Sequence, residues 1–494
     1  MSPLRTYLNQ TPIEQQQLEV IAYLASLESI AKTAPEVSKS IVQELQDQRH
    51  FLKLIASENY SSLPVQLAMG NLLTDKYSEG YAHHRFYAGC ENVDTIEDLA
   101  VQEVKSLFNA EYAYVQPHSG ADANLVAYWA ILMARVQQPE LELLGKKNVD
   151  QLSVAEHEML RQIIINQKMM GMALGSGGHL THGYRHNISS KMMQSVSYDV
   201  DPQTEELDYS AIQQLAEQER PLILIAGYSS YSKKINFAKM KEIADSVDAV
   251  LLCDMSHFSG LVAGKVFQGE YNPIPYADVV TSTTHKTLRG PRGGFILAKE
   301  EFSTFINKGC PLVLGGPLPH VIAAKLLAFR EAKQPSFVDY AHQIVKNAQS
   351  LAEEIMAEGL RIVSHGTENH LMVVDVSSLG LNGRQAESAL RECGITLNRN
   401  AIPNDPNGAW YTSGIRIGTP ALTTLGMKEA EMREIGRMIV TVLKATSPAP
   451  SINGKGKAQY QLDTSIQRKV RERSLELLSH FKLYPGLLET TSLA

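Results

Sequence analysis

Five short apolar runs constrain this 494-residue chain more than any other feature: Tyr112 to Val115, Leu222 to Ala226, Val250 to Cys253, Val279 to Thr281 and Gly294 to Leu297. Each is apolar at consecutive positions, so both faces of the strand it would form are buried, and helical periodicity fills the gaps between them. Strands of that kind alternating with helices imply an α/β fold whose sheet is parallel or mostly parallel and covered on both sides. Ligands in such sheets bind beyond the carboxyl ends of the strands, and the chemically suggestive residues cluster after those ends.

Around this block the pattern changes. Residues 1–55 read as an N-terminal helical arm, with Leu18, Ile21, Ala22 and Leu24, then Ile41, Leu45 and Leu52, at helical spacing. A large domain is expected over 56–337. A smaller C-terminal α+β domain is expected over 338–494, after a long connecting helix from about Ser336 to Glu358. The stretch Thr446 to Lys457, rich in proline, glycine and serine, reads as a linker loop before a last helix, Thr464 to Phe481. Net charge is -7 with no long basic block, which disfavours nucleic acid and anionic membranes as partners. Cys90, Cys253, Cys310 and Cys393 form no close pair, so neither a zinc site nor a disulfide framework is indicated. With no signal pattern and no long apolar span, the cytoplasm is the expected location.

The densest chemistry lies in T-S-T-T-H-K-T-L-R-G-P-R-G-G, Thr281 to Gly294. Lys286 is displayed there on a glycine-braced turn between two strands, as a lysine that forms a Schiff base with a carbonyl such as pyridoxal phosphate (PLP) would be. Asp254 closes the run A-V-L-L-C-D at a strand tip, where a carboxylate could face a pyridinium nitrogen or act as an ordinary cap or ion pair. Ser119 and Gly120, in Q-P-H-S-G, open a helix and suit a phosphate, although a plain N-cap explains Ser119 as well. His179, in G-S-G-G-H-L-T-H-G, sits where its ring could lie on a flat cofactor. A metal site with His182 is the weaker reading, and no metal is expected. Arg416, in S-G-I-R-I-G-T-P, offers a fork for a substrate carboxylate or forms a structural salt bridge. Glu79 lies in D-K-Y-S-E-G-Y-A-H-H-R-F-Y-A-G, Asp75 to Gly89. It suits a general acid or base, and the aromatics around it also suit interface packing.

Taken with L-I-A-S-E-N (Leu54 to Asn59) and D-M-S-H-F-S-G-L-V-A (Asp254 to Ala263), these seven motifs, in order from about Leu54 to Leu443, resemble the serine hydroxymethyltransferase family. The resemblance implies the PLP-dependent transferase (aspartate aminotransferase-like) fold and transfer of the hydroxymethyl carbon of L-serine to tetrahydrofolate, leaving glycine. It implies that Lys286 carries PLP, Asp254 pairs with the ring nitrogen and His179 stacks on the ring. Ser119 and Gly120 would bind the phosphate, helped by Gly316 of a neighbouring subunit, with Ser229 and His257 near the phenolic oxygen. Arg416 and Ser57 would grip the amino-acid carboxylate. Tyr77 and Glu79, from the partner subunit, would handle protons at the serine hydroxyl. The pterin would rest near Leu174, Gly178, Leu180, Tyr87 and Asn400. A site shared in this way implies a homodimer, or a tetramer built from such dimers.

Several positions depart from the family pattern. Phe86 stands where tyrosine is common, Ala121 and Asp122 follow the Ser-Gly pair in place of a second hydroxyl, and Ser176 replaces a frequent histidine. Asp122 is expected to weaken the phosphate's hold unless it points away. An insertion over about 137–170, with Ser153 and Glu156 as a capping box, could reshape the folate mouth or remain a solvated surface feature. These departures leave open a folate-independent PLP enzyme acting on small amino acids, such as an aldolase, racemase or transaminase. A non-catalytic PLP-binding scaffold is the remaining reading.

Overall fold

The structure, a computed structural model, describes residues 3–449 and 456–487. At its centre is a seven-stranded sheet made of β1 (Tyr112–Tyr114), β2 (Lys168–Met172), β3 (Gln194–Tyr198), β4 (Ile223–Gly227), β5 (Val250–Asp254), β6 (Val279–Thr283) and β7 (Gly294–Ala298). The order across the sheet is β1-β7-β6-β5-β4-β2-β3, and only β7 runs against the others. All five residues of β4, β5, β6 and β7 are buried, which is why these strands read as unbroken apolar runs. One apolar cluster fills one face of the sheet, including Leu224, Leu251, Val280 and Phe295, and another, with Ile225, Leu252, Val279 and Ile296, fills the other.

Two sheet strands are not evident in the sequence. β2 is K-M-M-G-M, without β-branched residues, and the sequence merges its first residues into the expected insertion. β3, Q-S-V-S-Y, is a largely solvated edge strand. The rest of the insertion carries helices joined by turns, and a capping box of Ser153 and Glu156 starts its helix Val154–Ile165.

The arm is built from α1 (Leu18–Thr33) and α2 (Pro35–His50), preceded by a short helix, Pro3–Gln10. Directly after α2, Leu52–Lys53 pair in parallel with Ile395–Thr396, which ties the segment leading to the seven-stranded sheet to the C-terminal region. α3 (Glu91–Phe108) and α4 (Gly120–Leu132) flank the sheet, and α5 (Pro319–Ala332) packs along α3. α6 (Pro335–Ala357) leads to a second, antiparallel sheet that includes β8 (Leu371–Asp375), β9 (Asn398–Asn400) and β10 (Gly414–Gly418).

The linker expected from Thr446 is corrected in part. Thr446–Pro448 and Tyr460–Leu462 form an antiparallel ladder closed by Asp463 N–H to the Ala445 carbonyl, while 450–455 lie outside the described residues. Among the described residues no helix is long and apolar enough to cross a membrane.

Candidate active site

Strand ends of the large sheet and the N-terminus of α4 enclose a cavity of about 160 Å³. Its wall contains Lys286, Asp254, His179, Ser119, Gly120, Ser229 and His257, which lie up to 167 positions apart in the sequence. Thr283 at the tip of β6 and His285, Lys286 and Arg292 on the following turn complete one side. That turn is fixed by backbone bonds from Thr284 N to the Gly293 carbonyl and from Gly290 N to the Thr284 carbonyl, and Asn59 Nδ2 donates to the Lys286 carbonyl. Gly120 has no room for a side chain, because a Cβ would lie 2.6 Å from Thr283 Cγ2. The first turn of α4 can therefore approach the strand ends closely, and Ser119, Gly120 and Ala121 at its start line the cavity.

Asp254 sits at the tip of β5, 5 % exposed. Oδ2 accepts from Asn124 Nδ2 (2.9 Å) and lies 3.0 Å from His182 Nε2, while Oδ1 accepts from Ser256 N–H (3.0 Å). Burial pushes its pKa up, but the His182 ring and the donors around it prevail, and the carboxyl stays well below the usual carboxylate range. Asn124 Nδ2 also donates to Thr181 Oγ1 (2.8 Å), which lies 2.7 Å from His179 Nδ1. Burial, then the neighbouring His182, pulls His179 down to about 4, so its ring is neutral at physiological pH. Neutrality suits a ring expected to lie flat on a cationic heterocycle. His182 thus serves as the partner of Asp254. His179, His182 and Asp254 offer three atoms close enough for a metal ion, but those atoms are already joined by the network just described.

Lys286 Nζ donates to Thr283 Oγ1 (3.1 Å). Burial pulls its pKa down to about 8; Asp254 opposes that shift, and Arg416 and Arg292 add to it. Arg416, on β10, donates from Nη1 to the Ser229 carbonyl (2.7 Å) and from Nε to Asn398 Oδ1 (3.2 Å). It forms no salt bridge among the described residues, and burial brings it down to about 10. The alternative of a structural ion pair for Arg416 therefore has no partner in the described chain. His257 Nδ1 lies 3.2 Å from His370 Nε2, and burial keeps both rings neutral. Ser57 lies in an adjoining cavity of about 360 Å³ that shares His285 and Arg292 with the first.

The departures from pattern can now be placed. Ser119 Oγ accepts from Asp122 N–H (3.1 Å) and donates to Asp122 Oδ2 (3.0 Å), so this carboxylate turns onto the capping hydroxyl and is absent from the cavity wall. Ser176 Oγ donates to Asp199 Oδ1 (2.7 Å) behind the His179 loop. Gly177 of that loop accepts from Ser229 N–H (2.7 Å), which sets Ser229 at the cavity.

The remaining expected residues stay outside this cavity. Tyr77, Glu79 and Tyr87 share one loop, with the Tyr77 and Tyr87 rings 4.8 Å apart and the Glu79 carboxylate raising the Tyr77 phenol. Gly316 gives its carbonyl to His118 Nε2 (3.1 Å). Leu174 and Leu180 are exposed, Gly178 packs against the Met172 carbonyl, and Asn400 closes on the Ala401 carbonyl.

One buried residue missing from the sequence reading is Lys325, on α5. It is 1 % exposed and donates to the carbonyls of Val115 (2.6 Å), Pro117 (2.9 Å) and Gly294 (2.8 Å), which join the Ser119 turn to the end of the lysine turn. Its signal was present: Lys325 shares a helix face with Ile322 and Phe329, both buried.

PLP can be tested against these residues. Lys286 and Arg292 line the cavity with Asp254 as the one acid on its wall, Arg416 is bonded to the Ser229 carbonyl beside it, and the buried Nδ1 of His285 has no hydrogen-bond partner. An amine, a buried anion and a free helix N-terminus in one cavity match an aldehyde, a pyridine nitrogen and a phosphate.

Fold and site together define the class of PLP-dependent transferases with the aspartate aminotransferase-like architecture. A family profile described as serine hydroxymethyltransferase matches residues 30–145 and 145–439. Proteins named serine hydroxymethyltransferase from Treponema pallidum (55% identical over 489 residues, 99% of this chain and 85% of that protein) and Cutibacterium acnes (54% over 468 residues, 94% and 95%) are similar throughout. One from Salinispora tropica is 53% identical over 470 residues, 95% of this chain and 98% of its own. The chain belongs to the serine hydroxymethyltransferase family.

Proposed function

We propose that this protein transfers the hydroxymethyl carbon of L-serine to tetrahydrofolate, giving glycine and 5,10-methylenetetrahydrofolate, with PLP held on Lys286. The observation that carries this reading is the convergence of Lys286, Asp254, His179 and the Ser119-Gly120 helix start on one cavity, with Arg416 held beside it and, among the described residues, without an ion-pair partner. Bound there, PLP supplies a protonated ring that accepts the electrons released when the bond between Cα and the hydroxymethyl carbon breaks.

The chain's own residues do the rest. With a pKa of about 8, Lys286 keeps part of its amine unprotonated at neutral pH, the form that bonds to a carbonyl carbon. With PLP bound, Asp254, ionised by its donors, would hold a proton on the ring nitrogen, and Ser119 and Gly120 at the start of α4 would hold the phosphate. Arg416, with Ser57, would take the serine carboxylate in a planar fork and so orient Cα for bond breaking. The neutral His179 would stack on the ring, and Ser229 and His257 would lie near its phenolic oxygen.

Glu79 is the group we assign to the proton of the serine hydroxyl, assisted by Tyr77, with Leu174, Gly178, Leu180, Tyr87 and Asn400 shaping the folate mouth. Because the Glu79 loop is outside the cavity of its own chain, we assign it, with Gly316, to the site of a second copy in a homodimer, alone or within a tetramer. Exposure of Leu72, Tyr77, Phe86 and Tyr87 around that loop supports a covering partner. A cytoplasmic setting fits four buried, unpaired cysteines.

The test is glycine formation from L-serine by the PLP-loaded protein, with and without tetrahydrofolate. The reading expects glycine in step with 5,10-methylenetetrahydrofolate. Glycine released at the same rate without the folate would favour a folate-independent enzyme.

A further inference from the structure

The Glu79 loop is exposed at its side chains, yet its backbone is held by a buried polar network that the proposed chemistry leaves unused. Arg85, with a side chain only 4% exposed, lies at its centre. Its Nη1 donates to the carbonyls of Ser78 (3.0 Å) and Gly80 (3.1 Å), the residues on either side of Glu79. The carbonyl of Glu79 itself accepts from Phe86 N–H (3.0 Å). Three successive carbonyls are therefore fixed around the one residue whose side chain must be aimed.

Arg85 is in turn fixed from behind. Its Nε donates to Asp94 Oδ1 and its Nη2 to Glu97 Oε2, both at 2.8 Å, and both acids stand on one face of α3 at i, i+3 spacing. Gln116 closes the network: Nε2 donates to the Gly80 carbonyl and to Glu97 Oε1, both at 2.9 Å, and Oε1 accepts from Tyr114 Oη–H (2.8 Å). Gln116 lies three residues before Ser119, at the start of the phosphate-binding turn. Gly80 permits the tight hairpin, since a Cβ there would meet the His84 carbonyl at 2.2 Å and its φ is +96°.

We propose that Arg85 is a positioning residue for Glu79, and that Gln116 shares this task by joining the Glu79 loop to the turn that binds the cofactor phosphate. This rests on the proton-handling role assigned to Glu79 above. A planar guanidinium is required, because one group must reach two carbonyls and two carboxylates, and a lysine ammonium has neither the span nor enough donors. Proton transfer depends steeply on placement: a misplacement of about 1 Å can cost ~10²-fold in rate. Lys286, Asp254 and Arg416 stand on other elements, so cofactor loading and amino-acid binding should not follow Arg85.

The experiment uses the PLP-loaded full chain and measures serine turnover with tetrahydrofolate, glycine affinity and PLP content. The variants are Arg85→Lys, Gln116→Met and Glu79→Gln, with the first two also placed in the Glu79→Gln background. Arg85→Lys should lower kcat by about 10²-fold and Gln116→Met by about tenfold, with glycine affinity and PLP content within about twofold of the parent. Neither should lower kcat further once Glu79 is Gln, because a positioning residue has nothing left to position.

Normal turnover in both variants would overturn the proposal, as would losses that multiply with that of Glu79→Gln or that track lost PLP or glycine binding. If Arg85→Lys folds poorly because Glu97 loses its partner, Gln116→Met, which keeps the ion pairs, decides alone. Full activity in Glu79→Gln would instead remove the role of Glu79 on which this rests.

Discussion

The PLP cavity and the Glu79 loop are built to opposite specifications. Around Lys286 the side chains are the buried element: Asp254, His257 and Thr283 are each at most 5 % exposed, and several of the hydrogen bonds join one side chain to another. In the Glu79 loop the backbone is buried and anchored, while Tyr77 is 59% and Phe86 72% exposed. On the proposed roles, one half of the chemistry would be completed inside a single chain, and the other is anchored at its backbone but carries exposed side chains. Desolvation explains the first, because it sets Lys286 near 8 and His179 near 4. On the proposed assignment Glu79 meets a substrate bound in another copy; such a group could not be buried in its own chain, and its backbone is what can be fixed.

The largest break in this comparison comes from Lys286→Ala, expected to lower serine turnover by more than ~10⁴-fold, measured by steady-state kinetics. Arg416→Lys should act on binding more than on chemistry. Losing the paired fork costs ~1.5–3 kcal/mol, so the KM for serine should rise about 10- to 150-fold with a smaller change in kcat. An unchanged KM would return Arg416 to a structural role.

Desolvation of Lys286 predicts a pH dependence of PLP capture by the cofactor-free protein. The neutral amine captures the aldehyde, so the rate should climb about tenfold per pH unit below pH 8 and level off above it, followed by stopped-flow absorbance. The sign for stability is the same. The unfolded lysine keeps its proton up to 10.5, so between about 8 and 10.5 the unfolded chain binds more protons and the cofactor-free fold gains stability as pH rises. The smallest effect belongs to Asp122→Ser. Removing a partly exposed carboxylate from the Ser119 hydroxyl should tighten PLP retention by about two- to fivefold, read from the dissociation rate.

Much of this division was legible in the sequence. β5, β6 and β7 are buried on both faces and so announce themselves, and with them the turn that carries Lys286. β2 and β3 were hidden because methionine, glycine and serine carry little strand preference. The roles missed at the site, those of His182, Asn124 and Lys325, are toward other protein groups and so depend on contacts between distant segments. Glu97 is an instructive case: it shares a helix face with Val93, Ala100 and Val104, and a carboxylate at such spacing implies a buried cation, although only the fold shows that it is Arg85.

The most direct measurement is to co-express Lys286→Ala with Glu79→Gln, each with only residual turnover alone, and assay the mixed protein for serine turnover. If the cavity of one chain is completed by the Glu79 loop of another, half the dimers are mixed and each has one intact site of two, so about a quarter of the parent activity returns. No recovery, in dimers verified to contain both chains, would mean that Glu79 serves its own cavity, and the contrast between the two halves would fail.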